Sequence, residues 1–169
     1  RLSLERYRSR IFAGKKQNSL AFFMIDLDGF KEINDRYGHL KGDYVLRKMA
    51  QQLRNICDSI DRDAFLCRFG GDEFLVIFKN TEGINDRFRK MLEQVCEAES
   101  KESETVSASV GFAAGSCSCN EEFEQLMRNA DKNMYSSKTL KRKMEFPQLR
   151  LTMPPLIMLL KQQMIAVMI

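Results

Sequence analysis

Four carboxylates at two places in the chain have the types and spacing to do chemistry together. Asp26 and Asp28 close the apolar run Ser19 to Asp28, and Asp72 and Glu73 follow Gly70-Gly71 between the runs Phe65–Phe69 and Phe74–Phe78. A turn between strands does not require two acids. Adjacent carboxylates repel, and they call for a metal ion, a basic side chain or solvent cations. If the two segments are neighbouring strands, Asp26 and the turn acids converge at one sheet edge. Hard oxygen ligands without His or Cys suit Mg²⁺, with Mn²⁺ as a substitute; such an ion takes one or two carboxylates and completes its shell with water and substrate phosphates. A helix beginning after Gly29 would aim the amides of Gly29 to Lys31 at a phosphate, with the Lys31 ammonium beside them. Metals and positive donors on phosphate oxygens are the means by which phosphoryl and nucleotidyl transfer is accelerated. Taken singly, Asp26 or Asp28 reads as a strand-end acid facing water; the second acidic turn reverses that balance.

These residues need elements to position them. Ser19 to Asp28 reads as a strand buried on both faces. Phe30 to Tyr37 reads as a short helix stopped at Gly38. Asp43 sits where an N-cap belongs, with Tyr44, Val45, Met49, Leu53 and Ile56 at helical spacing through about Cys57. Two β-rich runs around a Gly pair read as a hairpin, with glycine suited to positive φ in the turn. Phe88, Met91, Leu92 and Val95 mark another helix, and Lys101 to Glu104 a polar loop. Thr105 to Ala114 reads as a strand with Gly111 a bulge or close-approach point. Glu121 to Lys138 reads as a final helix with Phe123, Leu126, Met127, Ala130, Met134 and Tyr135 inward. Residues 1–17 form an opening helix or linker, 18–144 the main domain and 145–169 a tail. That tail, with Pro154-Pro155 and many Met and Leu, fits the start of another domain, a helix packing on another chain, or non-native sequence. Hairpins mixed with helical crossovers predict an α+β fold.

With 44% hydrophobic and 30% charged residues in 169, the chain has the composition of one soluble globular domain. It begins at Arg1, as a fragment with upstream sensory or regulatory sequence removed would, and shows no signal peptide. A cytoplasmic location follows, with membrane anchoring left to the full-length protein. The net charge of +4 is scattered, apart from a cluster at Lys138, Lys141, Arg142 and Lys143. Such a cluster suits nucleic acid, an anionic membrane or a small phosphate-rich ligand. Five cysteines without a C-x-x-C pair read as free thiols. A single histidine, His39, excludes a His-based triad or multi-histidine metal site.

Several blocks together resemble the GGDEF family, the bacterial diguanylate cyclases. They are Asp26-Leu27-Asp28-Gly29-Phe30-Lys31 through Gly38-His39, then Gly42-Asp43 and Leu46, then Arg68-Phe69-Gly70-Gly71-Asp72-Glu73-Phe74, Val106 to Gly111, and Ala130-Asp131 through Lys138. The match runs in order over about residues 18 to 142. The resemblance implies a central mixed, largely antiparallel five-stranded sheet flanked by helices, as in the nucleotide cyclase and polymerase palm. It implies condensation of two GTP into cyclic di-GMP with release of pyrophosphate, one GTP per subunit of a face-to-face homodimer, without nucleic acid or membrane partners in this fragment.

By the same resemblance, Asp26, the Leu27 carbonyl and Asp72 would hold Mg²⁺, and Asp72 and Glu73 would be catalytic, Glu73 as general base or second metal contact. Asn34 and Asp43 would read the guanine edge; an Asp accepts from the ring N–H and exocyclic amine of guanine, a donor pair adenine lacks. Lys138 would bind the triphosphate, joined by Arg142, though Lys141 and Lys143 replace the usual flanking pattern. Phe30, Lys31 and Gly71 complete the substrate-binding set, while the side chains of Phe30, Ile33, Tyr37 and Phe74 read as core and His39 as a structural hydrogen-bonding residue. An R-x-x-D inhibitory motif is absent, since the equivalent stretch runs from Asp61 to Ala64; product feedback through it is not implied. The rival readings are a non-catalytic GTP-binding module regulating an attached signalling domain, and an unrelated nucleotidyl transferase or nucleic-acid binder.

Overall fold

The computed structural model describes residues 2–13, 18–79, 81–102 and 107–145. The tail assignment for 146–169 and part of the loop expected at 101–104 lie outside the described residues. The elements run α1 (Leu2–Phe12), β1 (Asn18–Asp28), α2 (Phe30–Tyr37), α3 (His39–Ile60), β2 (Phe65–Arg68), β3 (Glu73–Phe78), α4 (Ile84–Glu102), β4 (Ser107–Cys117) and α5 (Asn120–Glu145). The chain divides into two compact units, Arg1–Lys138 and Thr139–Ile169. The sheet belongs to the first; the described part of the second is the end of α5.

β1 forms the centre because its run from Leu20 to Ile25 is apolar on both faces and every residue from Leu20 to Leu27, Asp26 included, is buried. Its odd side chains, Ala21, Phe23, Ile25 and Leu27, pack with Leu46, Met49 and Leu53 of α3 and Phe88 and Leu92 of α4. Its even ones, Leu20, Phe22 and Met24, pack with Phe123, Ala130 and Met134 of α5 and with Tyr7 and Ile11 of α1. The period-two alternation of a strand thus feeds two separate cores.

Among the described residues the sheet has four strands, in the order β2-β3-β1-β4, where five were expected, and all three pairings are antiparallel rather than mixed. Each helical crossover skips one strand, so β1 and β2, and β3 and β4, run parallel without touching. This is the split βαβ arrangement.

Several local expectations change. Asp43 is not an N-cap: α3 starts at His39 behind Gly38, whose φ of 80° lets the chain turn the corner five residues earlier. Gly42 is helical instead; a Cβ there would run into Asn34 Oδ1 and Phe30 Cζ. Gly70 and Gly71 do not take positive φ, unlike Gly29, Gly38 and Gly83. At Gly70 a Cβ would displace the Glu73 carboxylate from where it stands, whereas Gly71 opens onto free space. Gly111 is a close-approach point and not a bulge, since β1–β4 register runs through it unbroken and a Cβ would strike Ala130 O and the Met134 backbone.

Tyr37, Tyr44 and Tyr135, read as inward-facing, are 40%, 49% and 70% exposed. Arg36 lies over the Tyr37 ring and Lys41 and Lys48 over that of Tyr44, so these rings carry cations at the surface. His39 is exposed and has no hydrogen bond among the described residues; Gly38 N–H to Asn34 O (2.9 Å) and Gly42 N–H to Gly38 O (3.3 Å) close that corner. All five cysteines are free thiols. Among the described residues, no helix is long and apolar enough to cross a membrane.

Candidate active site

Register brings the two acidic segments together. In the β1–β3 pairing, Asp26 stands directly opposite Glu73, and the next main-chain bond runs from Leu27 N–H to Asp72 O at 3.2 Å. Directly opposed residues share a sheet face. Asp26 and Glu73 therefore both face the α5 layer, and Lys138 of α5 donates to Asp26 Oδ1 at 2.5 Å. Asp26 is 6% exposed, one of few buried polar residues among the described residues.

Burial and the neighbouring charges together set the proton affinity of these acids. Burial pushes the Asp26 carboxyl above the usual range; the hydrogen bond and charge of Lys138 pull it back, and Asp72 and Asp28 push it further up. Burial also raises Glu73, reinforced by Asp26, Asp72 and Asp131 and opposed by Lys138. One ammonium faces a crowd of carboxylates, which is a local excess of negative charge that a cation would relieve.

The hairpin tip is held open by Arg68, which donates from Nε to Gly70 O (3.2 Å) and Gly71 O (2.9 Å) and from Nη2 to Gly71 O (2.6 Å). The Phe69 and Gly70 amides both donate to Glu73 O, at 2.8 and 3.3 Å. The tip is a small hydrogen-bonded cage, not a slack loop.

The other expected residues fall into place unevenly. Lys31 is exposed in the first turn of α2, behind left-handed Gly29, and the Phe30 side chain packs against the core beside Ile33. Asn34 meets the first turns of α3 at Gly42, the residue before Asp43. Asp43 lines a cleft of about 470 Å³ with Leu46, Arg47 and Ala50 of α3, Leu66, Cys67 and Arg68 of β2, and Phe74. Asn34 does not line that cleft. Arg142 lies in the last turn of α5, in the second compact unit.

Asp28 is occupied elsewhere. Ser107 and Ser109 donate to its two oxygens at 2.7 and 2.6 Å, making it a clasp between β1 and β4. Sequence reading left these serines without a role, although two serines two apart on a strand share a face. Asp131 was missed as well, although it stands seven residues, two helical turns, before Lys138 and so on its side of α5. Arg68 was read only as part of a motif, because its role depends on carbonyls that no side-chain pattern reveals.

Over residues 2–144 the chain matches the family described as "Diguanylate cyclase, GGDEF domain". It belongs to that family. This GGDEF domain is 34% identical over 131 residues to diguanylate cyclase A of Treponema denticola, covering 75% of the chain and 34% of that protein. It is 36% identical over 128 residues to diguanylate cyclase DgcS of Shewanella oneidensis, covering 75% of the chain and 41% of that protein. The chain thus spans well under half the length of these relatives. Among solved structures, the GGDEF domain of DgcB from Caulobacter crescentus in complex with c-di-GMP superposes with a TM-score of 0.63 at 26% identity, covering 80% of each chain.

Proposed function

We propose that this GGDEF domain condenses two GTP molecules into cyclic di-GMP. The observation that carries the reading is Asp26 opposite Glu73 with Leu27 bonded to Asp72, which draws the acids of two distant segments to one strand end. Relatives named as diguanylate cyclases support the substrate. The 3′-hydroxyl of one GTP attacks the α-phosphorus of the facing GTP. A phosphodiester bond forms, the bond to the pyrophosphate oxygen breaks, and the reciprocal step closes the ring.

Each subunit supplies one nucleotide, so two domains meet face to face as a homodimer. Glu73 accepts the hydroxyl proton, a task its raised proton affinity favours. Asn34 and Asp43 take the guanine edge; Phe30, Lys31 and Gly71 take the phosphates and sugar; Lys138 neutralises triphosphate oxygens.

The donor set fits Mg²⁺. Among the described residues, no three His, Cys, Asp or Glu side chains gather as a metal cage. Two carboxylates and a carbonyl, left open to water and phosphate, are what this ion takes in phosphoryl-transfer sites. Asp26, Asp72 and the Leu27 carbonyl would hold it, and when bound it withdraws charge from the phosphate oxygens.

The test is mass-spectrometric analysis of products from GTP and Mg²⁺ at high protein concentration, wild type beside Asp72→Ala. Cyclic di-GMP from the wild type alone is the expected result. GTP bound but left intact by the wild type would overturn the catalytic reading in favour of a nucleotide-sensing module.

A further inference from the structure

We propose that Arg47 is a second specificity-determining residue for guanine, donating to the O6 and N7 acceptors while Asp43 accepts from N1–H and the 2-amino group. The inference rests on the functional reading above. Two guanidinium groups line the cleft that contains Asp43, those of Arg47 and Arg68. Arg68 is committed to the carbonyls of Gly70 and Gly71. The Arg47 side chain has no hydrogen bond or ion pair among the described residues.

Asp43 and Arg47 stand four residues apart on α3, a spacing that puts them on one face roughly 6 Å apart. Opposite charges at that spacing commonly pair; here they do not. Both groups line the cleft with their side-chain hydrogen-bonding capacity unspent among the described residues. Beside the Cys67 thiol, the other lining groups, Leu46, Ala50, Leu66 and Phe74, are apolar and suit a flat ring.

The order of groups on guanine matches that of the side chains. Along its edge come the 2-amino group and N1–H, which donate, and then O6 and N7, which accept. A carboxylate followed by a guanidinium reads that sequence without a mismatch. Arginine forks engage O6 and N7 of guanine readily. Adenine presents an amino group in place of O6, so the Arg47 donors would face a donor there.

The test is equilibrium binding of GTP, 7-deaza-GTP and inosine triphosphate, each with Mg²⁺, to wild type, Arg47→Ala and Arg47→Lys. Arg47→Ala should weaken GTP about tenfold, the loss of one good base contact. It should weaken inosine triphosphate, which keeps O6 and N7, by the same factor. 7-Deaza-GTP should bind wild type more weakly than GTP does, and that difference should shrink in Arg47→Ala, with Arg47→Lys intermediate. During turnover the loss should fall on KM and leave kcat within about twofold. An Arg47→Ala loss that is equal for GTP and 7-deaza-GTP, or no loss at all, overturns the role of Arg47 while leaving the cyclase reading intact. Failure of the wild type to bind any guanine nucleotide overturns both.

Discussion

Lys138 reaches from α5 to within 2.5 Å of Asp26 Oδ1 on the central strand, joining residues 112 positions apart in the chain. Both side chains are largely shielded, at 23% and 8% exposure. A pair held that way ties α5 to the central strand and sets one positive charge beside the carboxylates of Asp26, Asp72 and Glu73.

Replacing Lys138 with Met should lower cyclic di-GMP formation at least about tenfold, the order expected when a charge stabilising a phosphate transition state is removed. It should also move the acid limb of the pH–rate profile upward. Lys138 is what opposes the burial-driven rise of the Asp26 carboxyl, so without it Asp26 holds its proton to higher pH. Rates from mildly acidic to alkaline pH, on both proteins, check this; an unshifted acid limb contradicts it.

Glu73 should cost stability where it is charged. Its folded-state pKa lies above the ordinary value, so the folded protein binds the proton more tightly than the unfolded chain does. Below the ordinary glutamate pKa both states are protonated and nothing is lost. As pH rises through the window between the ordinary and the raised value, stability falls, and above it the loss is complete. Glu73→Gln should therefore raise Tm by about 2 °C at neutral pH and leave it unchanged in acid. Mg²⁺ should narrow the neutral-pH gap by stabilising wild type more. Thermal melts with and without the ion decide it, and a neutral-pH Tm below that of wild type counts against the assignment.

How much of this was legible beforehand divides along physical lines. The apolar run of β1 and the hairpin follow from local patterns, because burial on both faces and alternation are written in residue type; the convergence of Asp26 with the Gly-Gly turn followed only on the condition that β1 and the hairpin were neighbours, which their pairing meets. The number of strands and their pairing were not, since which strand a crossover skips is decided by long-range packing. Tyr44 and Tyr135 sit at helical spacing with inward residues, yet flanking cations hold Tyr44 at the surface, a distinction periodicity cannot draw. Asp28 looks like Asp26 in sequence; only the Ser107 and Ser109 hydroxyls separate the clasp from the site residue.

Gly111→Ala tests whether the helix-to-sheet spacing governs the site. The added methyl would meet main-chain atoms of Ala130 and Met134, which cannot rotate away. Overpacking of this kind costs about 1–3 kcal/mol, and a shift of the urea midpoint to lower concentration should report it. Lys138 lies one turn beyond Met134, so displacement of α5 should also weaken its bond to Asp26. Activity in the still-folded variant should fall more than the folded fraction does. A variant that loses stability but keeps full specific activity would show that α5 position and catalysis are separable.

Arg68→Ala should separate hairpin geometry from global stability. The side chain is exposed, but its three hydrogen bonds fix the carbonyls of Gly70 and Gly71 immediately before Asp72 and Glu73. An exposed edge-strand residue of this kind contributes little to folding, so the urea midpoint should stay within what about 1 kcal/mol would move. The tip, however, loses the clamp that sets the direction of the acidic pair. Misplacing a reacting group by about 1 Å costs on the order of a hundredfold in rate, and cyclisation should fall by roughly that factor. Arg68→Lys should recover little, because a single ammonium cannot span two carbonyls in the plane that the guanidinium uses. Measured side by side, near-wild-type unfolding with a large loss of turnover supports the clamp; equal losses in both, or full activity in Arg68→Ala, would refute it.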